Sequence, residues 1–553
     1  MFDLHLKHWP KAVRRHLAVP ETTVDYNLTV NANRYPNRTA VIYYDGQVSY
    51  RQLDDQVNAL AGYLQKTLGV KKNDRVLLYM QNSPQFIIGF YAILRAGGVV
   101  IPANPMNRVA EMEHLAKDTS ARVALAGQEL VSQLLPLMEN GALSSVVSAA
   151  YSDYIDNSFD LPLPEVVKAP VQDFAGSEGV VLWADVLAAD EMPEDTGVGP
   201  DDWAVFPYSS GTTGAPKGCV HTHRTVMTTA LGGINWILMV AGETNLISLP
   251  MFHVTGMQNS LNGPLYAGAT MVVMTRWDRT IAARLIERYG VSRWVAISTM
   301  VIDLLNDPDL EKYDLSSLAR VSGGGAAMPE AVAQRLADMT GQQYIEGYGL
   351  SETMAATHIN PTDRPKKQCL GIPVFDVDCR IVSVEDDRLL GANEHGEIIM
   401  NAPQVFKGYW NNEQATKEAF VTVEGKEFFR TGDIGYYDEE GYFFIVDRVK
   451  RMINAAGFKI WPAEVEAIMH AHPALSEVAI IGKPDTRAGE VVKACVTLRH
   501  GVEEDVTPEG IMAWCHENMA AYKCPREVVI MEELPKSATG KVEWRRLQEL
   551  ERA

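Results

Sequence analysis

The sequence predicts an α/β protein: a large N-terminal domain of doubly wound sheets carrying a β-rich subdomain, then a small α+β C-terminal domain. Three observations lead there. Short β-branched runs alternate with helix-length runs over the first 200 residues and again over 244–322, as parallel strands with crossover helices require. After about residue 368 the texture changes to short alternating runs broken by turn signals, and from residue 451 helices and strands mix in a compact stretch. A chain of 553 residues has room for several such units at roughly 150 residues each.

Each element can be justified in order. The runs RVLLYM (75–80), SPQFIIGFYAILR (83–95), GVVIP (98–102), EMEHLAKD (111–118) and RVALA (122–126) read strand, helix, strand, helix, strand. Residues 140–200 are acidic and contain several prolines, and read as a surface insertion. GEIIMN (396–401) and GYYDEEGYFFIV (435–446) give the β-rich subdomain, about 368–447. Beyond it, helices are expected over 462–469 and 508–519, and strands over 478–481 and 491–498.

Composition narrows the function. A net charge of −20 disfavours general binding to nucleic acid or anionic lipid, so any polyanionic ligand needs a local cationic or amide-rich site. The six cysteines (219, 369, 379, 495, 515, 524) lack CxxC spacing and read as reduced thiols of a cytoplasmic protein. The start, MFDLHLKHWPKAVRRH, has no apolar h-region. Residues 225–242 (TVMTTALGGINWILMVAG) are 18 in a row without charge, but the threonines, the asparagine and the glycines make them a buried helix beside a ligand pocket, not an integral membrane span.

The densest chemistry lies in YSSGTTGAPKG (208–218). Four Ser/Thr hydroxyls, three glycines and Lys217 make a loop whose N–H and O–H groups can wrap phosphates. It is not a GxxxxGK[ST] loop, because Lys217 follows a proline and precedes Gly218 and Cys219. Seven further segments follow: PMFHVTG (250–256), SGGGAAMP (322–329), GYGLSET (347–353), RTGDIG (430–435), VDRVKRM (446–452), AAGFKIWPAEVE (455–466) and PKSATGK (535–541).

In that order, over about residues 25–550, these segments resemble the adenylate-forming enzymes: acyl-CoA synthetases, luciferases and adenylation domains. The resemblance implies an AMP-forming acid:CoA ligase that uses ATP, Mg²⁺ and coenzyme A. Its wording is nearest medium- and long-chain fatty acyl-CoA ligases, and an aryl or cinnamoyl acid is the rival substrate. A luciferase-like oxygenase or a non-catalytic nucleotide-binding homologue fits less well, since Lys217, Glu352, Asp433 and Lys541 are all present. The implied partners are a small carboxylic acid, ATP and CoA, with no nucleic acid; a homodimer is left open.

The same resemblance implies roles. Ser209, Ser210, Gly211, Thr212, Thr213, Gly214 and Lys217 would hold the β- and γ-phosphates. Glu352 would hold Mg²⁺, and Ser351, where most relatives carry Thr, would reach the α-phosphate. Tyr348 would stack on adenine, with Gly324, Gly325, Glu346, Gly347 and Gly349 around the base. Asp433 and Arg448 would take the ribose, and His253 the acyl carboxylate. Lys541 would serve adenylation. The family's domain scheme puts an N-terminal adenylation domain at 1–447, a hinge at 448–450 pivoting on Lys450, and a mobile domain at 451–553 that brings Gly457 and Phe458 to the thioester step. Met257 stands where some long-chain relatives have a gating tryptophan, so it is expected to leave an ungated apolar slot.

Overall fold

The computed structural model describes residues 2–552 apart from 157, 159, 161, 210–215, 326–327, 456–457, 486–488, 500–505 and 537–541. The chain divides into two compact units. The first comprises Met1–Asp378, Asn401–Val421 and Glu440–Tyr442; the second Cys379–Met400, Thr422–Glu439 and Phe443–Ala553.

Two sheets organise the first unit. One has seven strands in the order 221–222, 203–205, 99–102, 75–79, 123–127, 145–149 and 180–182, parallel except at the 221–222 edge. The other has nine, with a parallel centre running 345–350, 320–324, 293–295, 244–247, 270–273, 39–43 and antiparallel strands beyond. Between them lie the helices Tyr50–Lys66 and Pro84–Arg95; the latter is buried from Pro84 to Leu94, as its nearly all-apolar sequence requires. Both helices start at good caps. Ser49 and Gln52 form a capping box, and Ser83 accepts from Phe86 N with Pro84 in the first turn.

One expectation is corrected here. Residues 140–200 are not merely an insertion: Ser145–Ala149 and Val180–Leu182 extend the seven-stranded sheet, and Val146, Val147, Val167 and Trp183 are buried. Acidic, Pro-bearing flanks hide strands this short. A second correction concerns 225–242, where the helix ends at Trp236. Leu238 adopts φ +54°, Leu238 and Val240 are exposed, and the Arg293 guanidinium binds the carbonyls of Ile237 and Leu238 to close the helix end. No helix among the described residues is long and apolar enough to cross a membrane.

The second unit holds two sheets of five strands. The first is built from 378–382, 396–401, 420–423, 426–437 and 443–448, and the second from 453–455, 458–460, 475–485, 489–498 and 527–530 with helices Pro462–Met469, Pro508–Asn518 and Trp544–Arg552. The elements that carry the site are named β1 (Tyr208–Ser209), β2 (Lys217–Gly218), α1 (His223–Trp236), β3 (Arg320–Gly324), β4 (Ile345–Leu350), β5 (Ala355–Ile359), β6 (Lys426–Tyr437), β7 (Phe443–Arg448) and α2 (Pro462–Met469).

Four buried histidines lie in the first unit. Desolvation lowers His5, His221 and His223 from 6.5 to about 4, and His358 to about 3. Between pH 6.5 and 4 the unfolded chain therefore binds protons that the folded chain excludes, so these groups contribute stability above 6.5 that is lost as pH falls. His223→Asn keeps an acceptor for Val24 N, which His223 Nδ1 receives at 3.1 Å. Melting curves from pH 7 to 4 should show this variant losing less stability than the parent across that window, by up to roughly 3 kcal/mol. An unchanged pH slope would mean that His223 does not titrate on unfolding.

Candidate active site

β1 and β2 form a hairpin in which Ser209 pairs with Lys217 and Tyr208 with Gly218. The expected phosphate residues Ser210, Gly211, Thr212, Thr213 and Gly214 lie outside the described residues, between its two strands. The base of the hairpin is laced to residues 407–410. Trp410 N donates to Gly218 O (2.8 Å), Val220 N to Gly408 O (3.0 Å) and Lys407 N to Val220 O (2.9 Å). The same segment reaches the expected metal carboxylate: Phe406 N donates to Glu352 O and the Tyr409 hydroxyl to Glu352 Oε1, both at 2.8 Å.

Lys217 Nζ lies 5.1 Å from the centre of the Tyr409 ring, on which its charge is favoured. Tyr409 thus connects the hairpin lysine to Glu352. Burial, then the Glu352 charge, drive its hydroxyl far above the ordinary phenol range, so it remains a donor. No motif marked this residue. Its signal is KGYW (407–410), whose partners are distant in sequence.

Ser351 and Glu352 open the turn after β4. His221 donates from Nε2 to the Ser351 carbonyl at 2.8 Å, with Nδ1 3.1 Å from Thr225 Oγ1. At about 4 its pKa keeps the imidazole neutral near pH 7, so a single N–H makes that bond. Gly324 has a reason within the fold, because a Cβ there would lie 2.2 Å from Gly347 O on the neighbouring strand. Gly325 adopts φ +87°. Gly347, Tyr348 and Gly349 share β4, with the Tyr348 ring edge-on to His358 at 5.7 Å. Glu346 is buried, and both its oxygens are committed, to Met328 N (2.6 Å) and Cys369 N (3.0 Å). Its carboxylate therefore ties the backbones of Met328 and Cys369 to β4.

His253 is exposed at the start of a helical stretch, where Nδ1 accepts from Thr255 N at 3.3 Å. Met257 is fully buried in the main core, so it does not form the slot wall expected of it. A cavity of about 430 Å³ opens instead along α1, lined by Leu17, Val19, Thr228, Phe375, Asp376 and Pro403. A second cavity, of only about 10 Å³ or room for about one water, shares Leu17, Thr228 and Phe375 and adds Thr229, Gly232, Gly233, Ala356, Ile359 and Gln404. The hydroxyls of Thr228 and Thr229 donate back to Arg224 O (2.8 Å) and Thr225 O (3.4 Å), so neither seeks a ligand. Ala356 and Ile359 pair with Gly349 and Gly347, which puts this part of the cavity wall on the strand next to β4.

In the second unit, Asp433 on β6 and Arg448 on β7 are cross-strand partners, with Arg448 Nε 2.9 Å from Asp433 Oδ1. Asp433 is fully buried and Arg448 partly exposed. The next carboxylate, Asp447, accepts from Arg448 N and from Ala463 N in the first turn of α2, both at 2.7 Å. Arg451 pairs with Asp447 and Glu466. Phe458 begins a strand paired to 453–455, while Gly457 and Lys541 lie outside the described residues.

Residues 28–410 match the AMP-binding enzyme family, and residues 464–541 match the AMP-binding enzyme C-terminal domain. The chain is 34% identical to a long-chain-fatty-acid–CoA ligase of Bacillus subtilis strain 168, covering 99% of this chain and 98% of that one. It is 31% identical to 4-coumarate–CoA ligase 1 of Oryza sativa subsp. japonica, over 90% of this chain and 86% of the other. Among solved structures, a Mycobacterium tuberculosis fatty acyl CoA synthetase superposes with a TM-score of 0.72 at 28% identity, over 96% and 98% of the two chains. With a family match over most of its length and these relatives along nearly all of it, the chain belongs to the AMP-binding enzyme family.

Proposed function

We propose that the protein joins a monocarboxylic acid with an apolar tail, a medium- or long-chain fatty acid, to coenzyme A. The reaction class is AMP-forming acid:CoA ligation. An acid oxygen attacks the α-phosphorus of ATP and pyrophosphate leaves; the CoA sulfur then attacks the acyl carbon, loses its proton and expels AMP. The observation that carries the choice of acid is the cavity along α1. Among its described lining residues there is no Lys or Arg to pair with a second carboxylate, and the one charged group, Asp376, would repel it.

In this reading the hairpin 209–217 takes the β- and γ-phosphates, Tyr348 the adenine, and Asp433 with Arg448 the ribose. Glu352 suits Mg²⁺. Among the described residues no cluster of three His, Cys, Asp or Glu exists, and a cation held by one carboxylate plus substrate phosphates and water needs none. When bound, the ion neutralises phosphate charge. Tyr409 orients the Glu352 carboxylate, and His221 fixes the Ser351 carbonyl beside it. His253 meets the acid, Lys541 supplies charge to the first step, and residues 451–553 turn about Lys450 to present Gly457 and Phe458 for the second. Six free, buried cysteines suit the reducing cytoplasm, where ATP and CoA are supplied.

One observation favours a second reading, a hydroxycinnamic acid. Gln404 lines the inner cavity of about 10 Å³, is buried, and its Oε1 has no partner among the described residues, so it offers an acceptor to a phenolic hydroxyl that widens this cavity on binding. Pyrophosphate release, with and without CoA, over C3–C16 acids, succinate, benzoate and 4-hydroxycinnamate separates the readings. We expect kcat/KM to rise about fourfold per methylene from C3 into the medium range, with succinate poor. A preference for succinate, or for hydroxycinnamate over every aliphatic acid, would overturn the fatty-acid reading.

Two substitutions test the machinery. Tyr409→Phe removes the hydroxyl on Glu352 and should lower kcat/KM for ATP roughly tenfold or more without reordering the acids. Lys541→Ala should reduce acid-dependent pyrophosphate release by on the order of 10³-fold, whereas thioester formation from supplied acyl-adenylate survives. Equal loss in both half-reactions would remove Lys541 from its role in the first step alone.

A further inference from the structure

The helix Val109–Thr119 grips both strands of the β1–β2 hairpin. His114 and Asp118 are four residues apart, about one turn, and so stand on the same side of that helix. His114 Nε2 lies 3.3 Å from the carbonyl oxygen of Pro216, the residue before Lys217, and the His114 ring meets the Tyr208 ring edge-on at 6.3 Å. Asp118 Oδ2 accepts at 2.5 Å from the hydroxyl of Tyr208, the residue before Ser209. One helix face thus holds each strand next to a residue that the proposed function gives to the phosphates.

Asp118 is also a junction. Its carbonyl oxygen accepts from Trp410 Nε1 (2.9 Å) and Asn411 Nδ2 (3.1 Å), so the segment whose Tyr409 meets Glu352 ends on the same residue. Those two bonds use the main-chain oxygen and survive a change of the Asp118 side chain. Tyr208 in turn spans the hairpin: a Cβ added at Gly218, its partner on β2, would lie 3.0 Å from Cε2 and Cζ of the ring. Burial, then the bond to the Asp118 carboxylate, raise the Tyr208 hydroxyl far above the ordinary phenol range, so it stays a donor. A charged acceptor makes such a bond about twice as strong as a neutral one.

We propose that Asp118 is a positioning residue for the β- and γ-phosphates: through Tyr208 it fixes the spacing of Ser209 and Lys217 on which pyrophosphate is held. This rests on the hairpin being the phosphate site, and Lys217→Ala tests that reading separately. In the full-length enzyme, ATP–pyrophosphate exchange with dodecanoic acid gives KM for pyrophosphate. Thioester formation from supplied acyl-adenylate and CoA reports the step that needs neither the β- nor the γ-phosphate. Tyr208→Phe and Asp118→Ala should each raise KM for pyrophosphate roughly tenfold and leave thioester formation within about twofold of the parent. Asp118→Asn, which keeps an uncharged acceptor, should fall between the parent and Asp118→Ala. In the double variant the second change should add less than about twofold, because both remove the same bond.

If Lys217→Ala raises KM for pyrophosphate and neither Tyr208→Phe nor Asp118→Ala does, the proposal is wrong and the phosphate reading stands. If Lys217→Ala leaves that KM unchanged, the phosphate reading fails and the proposal falls with it. A common loss in exchange and thioester formation for the Tyr208 and Asp118 variants would make the bond merely structural and overturn the proposal. Effects that multiply in the double variant would remove Tyr208 as the route and overturn it as well. Should Asp118→Ala fail to fold, Tyr208→Phe and Asp118→Asn decide, because phenylalanine keeps the ring against Gly218 and asparagine keeps the side-chain volume at 118.

Discussion

The backbone ladder between residues 406–410 and 218–220 is the constraint on which the first unit's site depends. It uses only main-chain bonds, so it sets the distance between the β1–β2 hairpin and Glu352 without reference to side-chain identity. Side chains then act on that fixed spacing: Tyr409 reaches Glu352 on one side and stacks under Lys217 on the other. Remove the ladder and nothing in the main chain holds Lys217 and Glu352 against the same tyrosine.

A second layer of support comes from groups that never need to touch a ligand. His221 bonds the Ser351 carbonyl, Glu346 holds the backbones of Met328 and Cys369, and the β3–β4 contact at Gly324 leaves no room for a side chain. His221 and Glu346 are buried, and burial is what keeps the imidazole uncharged and raises the Glu346 carboxyl. Positioning by such neutralised or fully bonded groups costs little reorganisation when a charged ligand enters.

How much of this was legible in the sequence depends on range. The strands at 75–79 and 99–102 and the helices at 84–95 and 462–469 could be read almost to the residue, because their apolar periodicity is local. Motif residues such as Lys217, Glu352 and Asp433 stood out through composition and resemblance. Tyr409, His221 and Asp118 did not, since each matters through a partner far along the chain that only the fold brings near. Met257 misled for the same reason: its place beside a motif histidine says nothing of which way it faces, and it faces the core.

Asp447 gives the second unit a property of its own. One of its oxygens holds Arg448 N and the other holds Ala463 N, so a single carboxylate spans the short stretch that contains Lys450. If the backbone turns at Lys450, as proposed above, the first bond is kept and the second is broken, while Arg451, bound to Glu466, travels with α2. The carboxylate left behind would be charged and partly stripped of partners, in surroundings that already raise its pKa through burial. Under that proposal, the barrier to reorienting the C-terminal segment would lie in this local rupture rather than in the mass that moves, as a ratchet tooth with a defined release.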